Sequence, residues 1–201
     1  MAAIRLIAGL GNPGARYRDT PHNVGAQWVR DVAERSGVAL VERARFKGFV
    51  GRGNLLGREV LLLVPSTFMN LSGESVGPLA HYYRVEPPEI LVAHDEVDFP
   101  LGVTRLKVGG RRATHNGIAS VAAGLGNRHD FVRLRIGVGH PGRSRMVGFL
   151  TGSRLPAASR ALLRESGAMD DALLGLVLDG EWQAAMNRLH APGPDADDEP
   201  G

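Results

Sequence analysis

Two hydrophobic periods alternate along the chain, and this alternation restricts its fold more than any other feature. Short apolar runs occupy 4–8 (I-R-L-I-A), 59–64 (E-V-L-L-L-V), 90–94 (I-L-V-A-H), 103–108 (V-T-R-L-K-V) and 131–138 (F-V-R-L-R-I-G-V). Runs of this length read as strands. Between and after them the period lengthens to that of a helix, first at 24–35, where Val24, Trp28, Val29, Val32 and Ala33 share a face, then at 72–84, 117–125, 157–177 and 181–190. Strands alternating with helices predict an α/β fold, one domain over 1–190 with a central twisted mixed β-sheet flanked by helices. Only D-E-V-D-F-P-L-G separates the third run from the fourth, so those two are expected to form a hairpin. The last residues, 191–201, are rich in Pro, Gly and Asp and are expected to form an acidic, disordered tail.

Length and composition narrow the classes further. A chain of 201 residues with 43% hydrophobic residues buries a real core in one domain. No apolar stretch approaches the roughly 18 residues of a membrane helix, and M-A-A-I-R-L-I-A lacks the basic start and long apolar core of a signal peptide. A cytoplasmic protein with no membrane partner is expected. The absence of cysteine excludes disulfides, thiolate metal sites and a cysteine nucleophile. The formal charge is +3, but four acids (Asp195, Asp197, Asp198, Glu199) sit in the tail, so the body is more basic than that figure. All but Lys47 and Lys107 of its 24 basic residues are arginine, whose planar fork suits phosphate. Nucleic acid is one partner that fits; a genome rich in arginine, alanine and glycine codons would give the same composition.

Three motif matches fail on context. Gly9, Gly11 and Gly14 fit G-x-G-x-x-G, but no helix starts at those glycines; Asp19, Thr20 and Pro21 delay the next one to about residue 23. Gly73-Glu74-Ser75-Val76-Gly77 fits the nucleophile elbow, yet P-S-T-F-M-N-L-S intervenes between the strand and the serine, which places Ser75 inside a helix. His94, Asp95, Glu96 and Asp98, with His22, His115 or His140, offer ligand atoms without metal-site spacing, so no metal is expected.

A constellation remains. Asn12, His22-Asn23, Asn70, Asp95 and His115-Asn116 are polar residues at strand ends and helix starts in apolar surroundings. Loops at the carboxyl ends of strands in an α/β sheet converge on one crevice. A histidine, a carboxylate and neutral amides gathered there have the composition of a general base, its orienting partner and carbonyl-binding groups. Each asparagine taken singly is equally well explained as a helix cap.

The same residues carry a resemblance. G-L-G-N-P-G-x-x-Y with H-N-V-G (9–25), F-M-N-L-S-G (68–73), H-D-E-V-D (94–98), H-N-G (115–117) and L-R-I-G-V-G-H-P (134–141) together resemble the bacterial-type peptidyl-tRNA hydrolases, in the family's order from about residue 4 to 190. The resemblance implies a monomeric enzyme that needs no cofactor or obligate protein partner, cleaving the ester between peptide and tRNA and so recycling tRNA dropped by ribosomes. It assigns His22 as general base, Asp95 as the partner of its other ring nitrogen, and Asn12 as a group orienting His22 or the scissile carbonyl. Tyr17, Met69, Asn70 and Asn116 would bind the peptide. Arg133 and Arg135 alternate along one strand, Arg105 and Lys107 along another. With Arg143 and Arg145 these are the expected phosphate contacts to the acceptor arm and CCA end of peptidyl-tRNA. Three places depart from the family: Pro21 stands where arginine is usual, Arg111-Arg112-Ala113-Thr114 replaces a glycine-rich approach to H-N-G, and the basic loop at 143–145 is one residue short. The rival readings are a non-catalytic RNA-binding relative and a serine esterase built on Ser75.

Overall fold

The computed structural model describes residues 2–110 and 114–190. Its strands are β1 (Leu6–Gly9), β2 (Val41–Arg43), β3 (Gly48–Leu55), β4 (Arg58–Pro65), β5 (Ile90–Glu96), β6 (Thr104–Val108) and β7 (Val132–Gly137). The α-helices are α1 (Val24–Arg35), α2 (Gly73–Tyr83), α3 (Asn116–Gly124), α4 (Ala157–Gly167), α5 (Asp171–Leu178) and α6 (Trp182–Leu189). The strands form one mixed sheet in the order β2-β3-β4-β1-β5-β7-β6. Its centre, β4-β1-β5-β7, is parallel, whereas β2, β3 and β6 join antiparallel.

Side-chain alternation along the central strands divides the core into two layers. Ile7, Leu62, Leu91 and Leu134 face α1, α5 and α6, packing with Trp28, Val32, Leu174 and Trp182. Leu6, Ala8, Leu61, Leu63 and Val92 face the other way, onto Val76 and Leu79 of α2 and Ile118 and Val121 of α3. The result is a single αβα sandwich.

Three expectations are corrected. The runs at 90–94 and 103–108 are not a hairpin: β7 lies between β5 and β6, and β6 pairs antiparallel with β7, Thr104 opposite Ile136. The intervening loop instead folds over the end of β7, where Gly102 N–H donates to Gly137 O at 3.1 Å and Gly137 N–H to Val103 O at 2.8 Å. The apolar period at 157–177 is two helices, because Asp170 starts a new one by accepting from Leu173 N–H at 2.8 Å. Strands β2 and β3 had no counterpart in the apolar runs. The tail at 191–201 and most of the arginine-bearing segment, 111–113, lie outside the described residues.

Candidate active site

Parallel strands deliver their following loops to one edge of the sheet. Asn12 follows β1, Met69 and Asn70 follow β4 in a 3₁₀ turn (Met69–Leu71), and Asp95 is the penultimate residue of β5. His22 sits in a 3₁₀ turn (Pro21–Asn23) that runs straight into α1. Glycine brings that turn to the strand end. A Cβ on Gly25 would lie 2.2 Å from Ala93 O, and one on Gly9 would lie 2.3 Å from Gly25 O. Only hydrogen at both positions lets the first turn of α1 settle onto β1 and β5.

Contact follows. Asp95, 3% exposed, accepts at a single oxygen, Oδ1, from His22 Nδ1 at 2.8 Å and His115 Nε2 at 2.7 Å. Burial alone would raise the Asp95 pKa. The hydrogen bonds donated by both rings outweigh it and hold the carboxyl well below the usual carboxylate range. An ionised carboxylate only accepts, so both facing ring nitrogens carry hydrogen. His22 Nε2 is thereby left with its lone pair and has no hydrogen-bond partner among the described residues. The His22, Asp95 and His115 atoms lie within 4.8 Å of one another, a composition that could hold a cation. Both ring nitrogens stand at hydrogen-bond distance from one carboxylate oxygen, 2.7 and 2.8 Å, closer than two ligands of one tetrahedral metal ion would stand, so the residues do not fit a metal as they stand.

Asn12 is held from two sides. Its backbone N–H donates to Asn23 Oδ1 at 2.8 Å and its carbonyl accepts from Asn23 Nδ2 at 2.9 Å. Its own Oδ1 accepts from Met69 N–H at 2.8 Å, linking the β1 and β4 loops and leaving the Asn12 amide N–H group as the free end of the side chain. Asn23 therefore supports the crevice through Asn12, not as a helix cap, since its side chain makes no capping bond. Asn70 and Asn116 are exposed at the rim, while Met69 is buried beneath them. Tyr17 packs edge-on against Phe68 with ring centroids 6.5 Å apart, and Phe68 is 54% exposed, so an apolar lip borders Asn70.

Two histidines were legible only as residue types. His115 bonds Asp95, and its Nδ1 caps α3 by accepting from Gly117 and Ile118 N–H. His94 is buried, donates Nδ1–H to Asp95 O at 2.7 Å, and presents its ring to His115 at 4.8 Å between centroids. Burial pushes His94 down to about 3. Strand position plus an adjacent Asp is a signal that could have marked His94. The His115 contact is a product of tertiary structure alone.

The basic residues divide. Cross-strand register sets Arg105 opposite Arg135 and Lys107 opposite Arg133, like-charge pairs that favour a bound anion. Lys107 is exposed, and Arg143 and Arg145 stand exposed in a 3₁₀ turn after β7. Arg105 reaches His190 O at 3.4 Å, and Arg135 pairs with Glu96 at 2.8 Å over the ring of Phe99. Arg133 is different. It is 4% exposed, and its guanidinium donates inward to the carbonyls of Gly109, at 2.7 Å, and Gly110. Ser75 is 0% exposed within α2, which leaves a serine nucleophile no access to substrate. A cavity of about 590 Å³ between α1 and α4 is lined by none of His22, Asp95 or His115. A smaller one of about 200 Å³ is lined by Gly11, Asn12, Asn23 and Pro65.

With this geometry in place, comparisons with known proteins converge. Residues 6–197 match the family described as Peptidyl-tRNA hydrolase. The chain is 47% identical over 194 residues to the peptidyl-tRNA hydrolase of Pseudomonas fluorescens strain SBW25, covering 95% of this chain and 98% of that one. It is 50% identical over 190 residues to that of Edwardsiella ictaluri, covering 93% and 95%. Its fold superposes on the crystal structure of peptidyl-tRNA hydrolase from Acinetobacter baumannii with a TM-score of 0.88 at 40% identity, over 95% and 96% of the two chains.

Proposed function

The chain belongs to the peptidyl-tRNA hydrolase family, and from that premise we propose that it hydrolyses the ester of peptidyl-tRNA with His22 as the general base. The observation that carries this reading is the 2.8 Å bond from His22 Nδ1 to the buried, ionised Asp95, which leaves Nε2 as the basic atom of the ring. Nε2 takes a proton from water as the water oxygen bonds to the ester carbonyl carbon. The tetrahedral intermediate collapses, the bond from acyl carbon to ribose oxygen breaks, and the imidazolium returns its proton to that oxygen. The products are the tRNA hydroxyl and the peptide carboxylic acid, which loses its proton to solvent and leaves as the carboxylate. Asp95 stabilises the imidazolium while it exists.

Because Asn12 Oδ1 is committed to Met69, the Asn12 N–H group is the part aimed at the carbonyl oxygen. Asn70 and Asn116 at the rim bind the peptide backbone, with Met69, Tyr17 and Phe68 as its apolar walls. An aminoacyl-tRNA lacks the first peptide carbonyl and would leave those amides unpaired, a strong basis for discrimination. Lys107, Arg105, Arg135, Arg143 and Arg145 hold phosphates of the acceptor arm leading to the CCA end. Arg133 instead tethers the segment leading to His115. No helix among the described residues is long and apolar enough to cross a membrane, and we place the enzyme in the cytoplasm, where its substrate arises.

The test is release of N-acetyl-aminoacyl groups from tRNA by the wild type and His22→Ala, with unblocked aminoacyl-tRNA in parallel. The expected result is selective hydrolysis, reduced about 10²–10⁴-fold in the variant with tRNA binding retained. Undiminished turnover in His22→Ala, or tRNA binding without turnover in the wild type, overturns the reading.

A further inference from the structure

Two histidines share one carboxylate oxygen, yet they are not equivalent. His115 Nδ1 receives the N–H groups of Gly117 at 3.1 Å and Ile118 at 3.4 Å, the first turn of α3. A nitrogen that accepts carries no hydrogen, so the single hydrogen of a neutral His115 is on Nε2, where it donates to Asp95 at 2.7 Å. Protonating Nδ1 would set an N–H against two N–H groups at the positive end of α3, losing the cap and adding repulsion. Among the described residues, the other titratable groups against the ring are His22, at 5.0 Å between centroids, and Asp95 and His94 of β5. His22 has no such lock, because its Nε2 makes no bond to the described residues.

We infer that His115 is a positioning residue for the hydrolysis, held by its cap on α3 as the neutral Nε2–H tautomer so that it permanently orients Asp95 toward His22 and never competes with His22 for the proton. Pinning by His115 fixes Asp95 Oδ1 before His22 docks on it. The carboxylate therefore needs no reorganisation when the imidazolium forms. The α3 cap and the catalytic dyad become one unit, with sequence position 115 serving the helix through Nδ1 and the base through Nε2.

The catalytic half of this inference rests on the reading of His22 as the base; the tautomer half does not. Ring ¹⁵N correlation spectra of the intact protein separate them. The expected spectrum shows His115 with Nδ1 unprotonated and Nε2 protonated, unchanged over the pH range in which the His22 ring titrates. A protonated His115 Nδ1, or a His115 ring that takes up a proton in step with His22, overturns the lock.

His115→Asn keeps a good N-cap but removes the donor to Asp95. It should fold with near-native stability and lower kcat about ten- to a hundredfold at unchanged KM, as expected for losing one hydrogen bond to a charged group. Its His22 ring signals should shift as Asp95 loosens. His115→Ala loses the cap as well and should show the same kcat loss with lower stability. If His115→Asn retains full kcat and unshifted His22 signals, the residue is a helix cap only and the positioning role is overturned. If the lock is seen but His22→Ala stays active, the assignment of the base fails while the tautomer stands.

Discussion

The corner around Asp95 and the basic edge formed by β6 and β7 lie on adjoining strands yet are built by opposite rules. At the corner the polar side chains are tied to one another: Asp95 holds two histidines, Asn23 clamps the Asn12 backbone, and Asn12 ties down the Met69 loop. At the edge, Lys107, Arg143 and Arg145 are exposed, and the acidic partner of Arg135 among the described residues is the partly exposed Glu96. A site that moves a proton gains from atoms fixed in advance, because reorganisation during reaction costs rate. A surface that holds a polyanion gains from cations whose charge is still available, since phosphate must outbid any existing partner. Arg133, internal and bonded to two carbonyls, obeys the rule of the corner although it stands on the strand of the edge.

Asp95→Asn should break this contrast most severely. An amide in place of the carboxylate cannot accept equally from both rings or stabilise an imidazolium, and kcat should fall about 10²–10⁴-fold while tRNA affinity holds. Single-turnover hydrolysis beside a binding isotherm reads both quantities. A loss below tenfold would mean the corner is not pre-arranged for catalysis. Gly25→Ala attacks the same corner through the backbone. Its Cβ would lie 2.2 Å from Ala93 O, so α1 must shift, at about 1–3 kcal/mol of stability. Urea unfolding and kcat should drop together, with the salt dependence of tRNA binding unchanged.

The two regions also differ in how far they could be read from sequence. The corner was legible as a set, since Asn12, His22, Asn70 and Asp95 stand out as polar residues at the ends of apolar runs, and the parallel sheet gathers them. Its wiring was not legible: a single sequence gives no register between β5 and the approach to α3, so the His115 bond to Asp95 had no signal. Along the edge, alternation correctly placed Arg133 and Arg135 on one face of β7, but a face is not an exposure. Only the course of Gly109 and Gly110 over Arg133 decides that it is internal. Strand β3 escaped notice for a related reason. G-F-V-G-R-G-N-L interrupts the apolar pattern with glycines at Gly51 and Gly53, where a Cβ would press to 2.7 and 2.4 Å on Val38. Local pattern records what a residue is, whereas close approach by a distant segment decides why it is there.

Acid sharpens the contrast by a smaller amount. His94 is neutral in the fold because burial lowers it to about 3, while the unfolded chain takes up a proton near the ordinary histidine value of about 6.5. Its contribution is therefore complete above about pH 6.5 and is lost progressively as pH falls toward 3. Through that window the wild type should lose about 1 kcal/mol per pH unit on this account. Stability of His94→Gln, measured by urea unfolding from pH 7 to 4, should fall less steeply. Parallel curves for the two proteins would show that His94 does not set the acid sensitivity of the corner.

The edge itself calls for the finest measurement. If Lys107 meets a phosphate, Lys107→Ala should weaken tRNA binding and reduce the slope of log affinity against log salt by about one, since one counterion fewer is released. Arg135→Ala should change the slope less, because binding must first draw Arg135 from Glu96. Arg133→Met should leave the slope unaltered and instead lower stability and turnover, having lost the tether on Gly109 and Gly110 that fixes the start of the path to His115. A slope change for Arg133→Met equal to that of Lys107→Ala would place Arg133 among the phosphate contacts after all. The division between a fixed corner and an open edge would then run between α3 and β7, not through the middle of one strand.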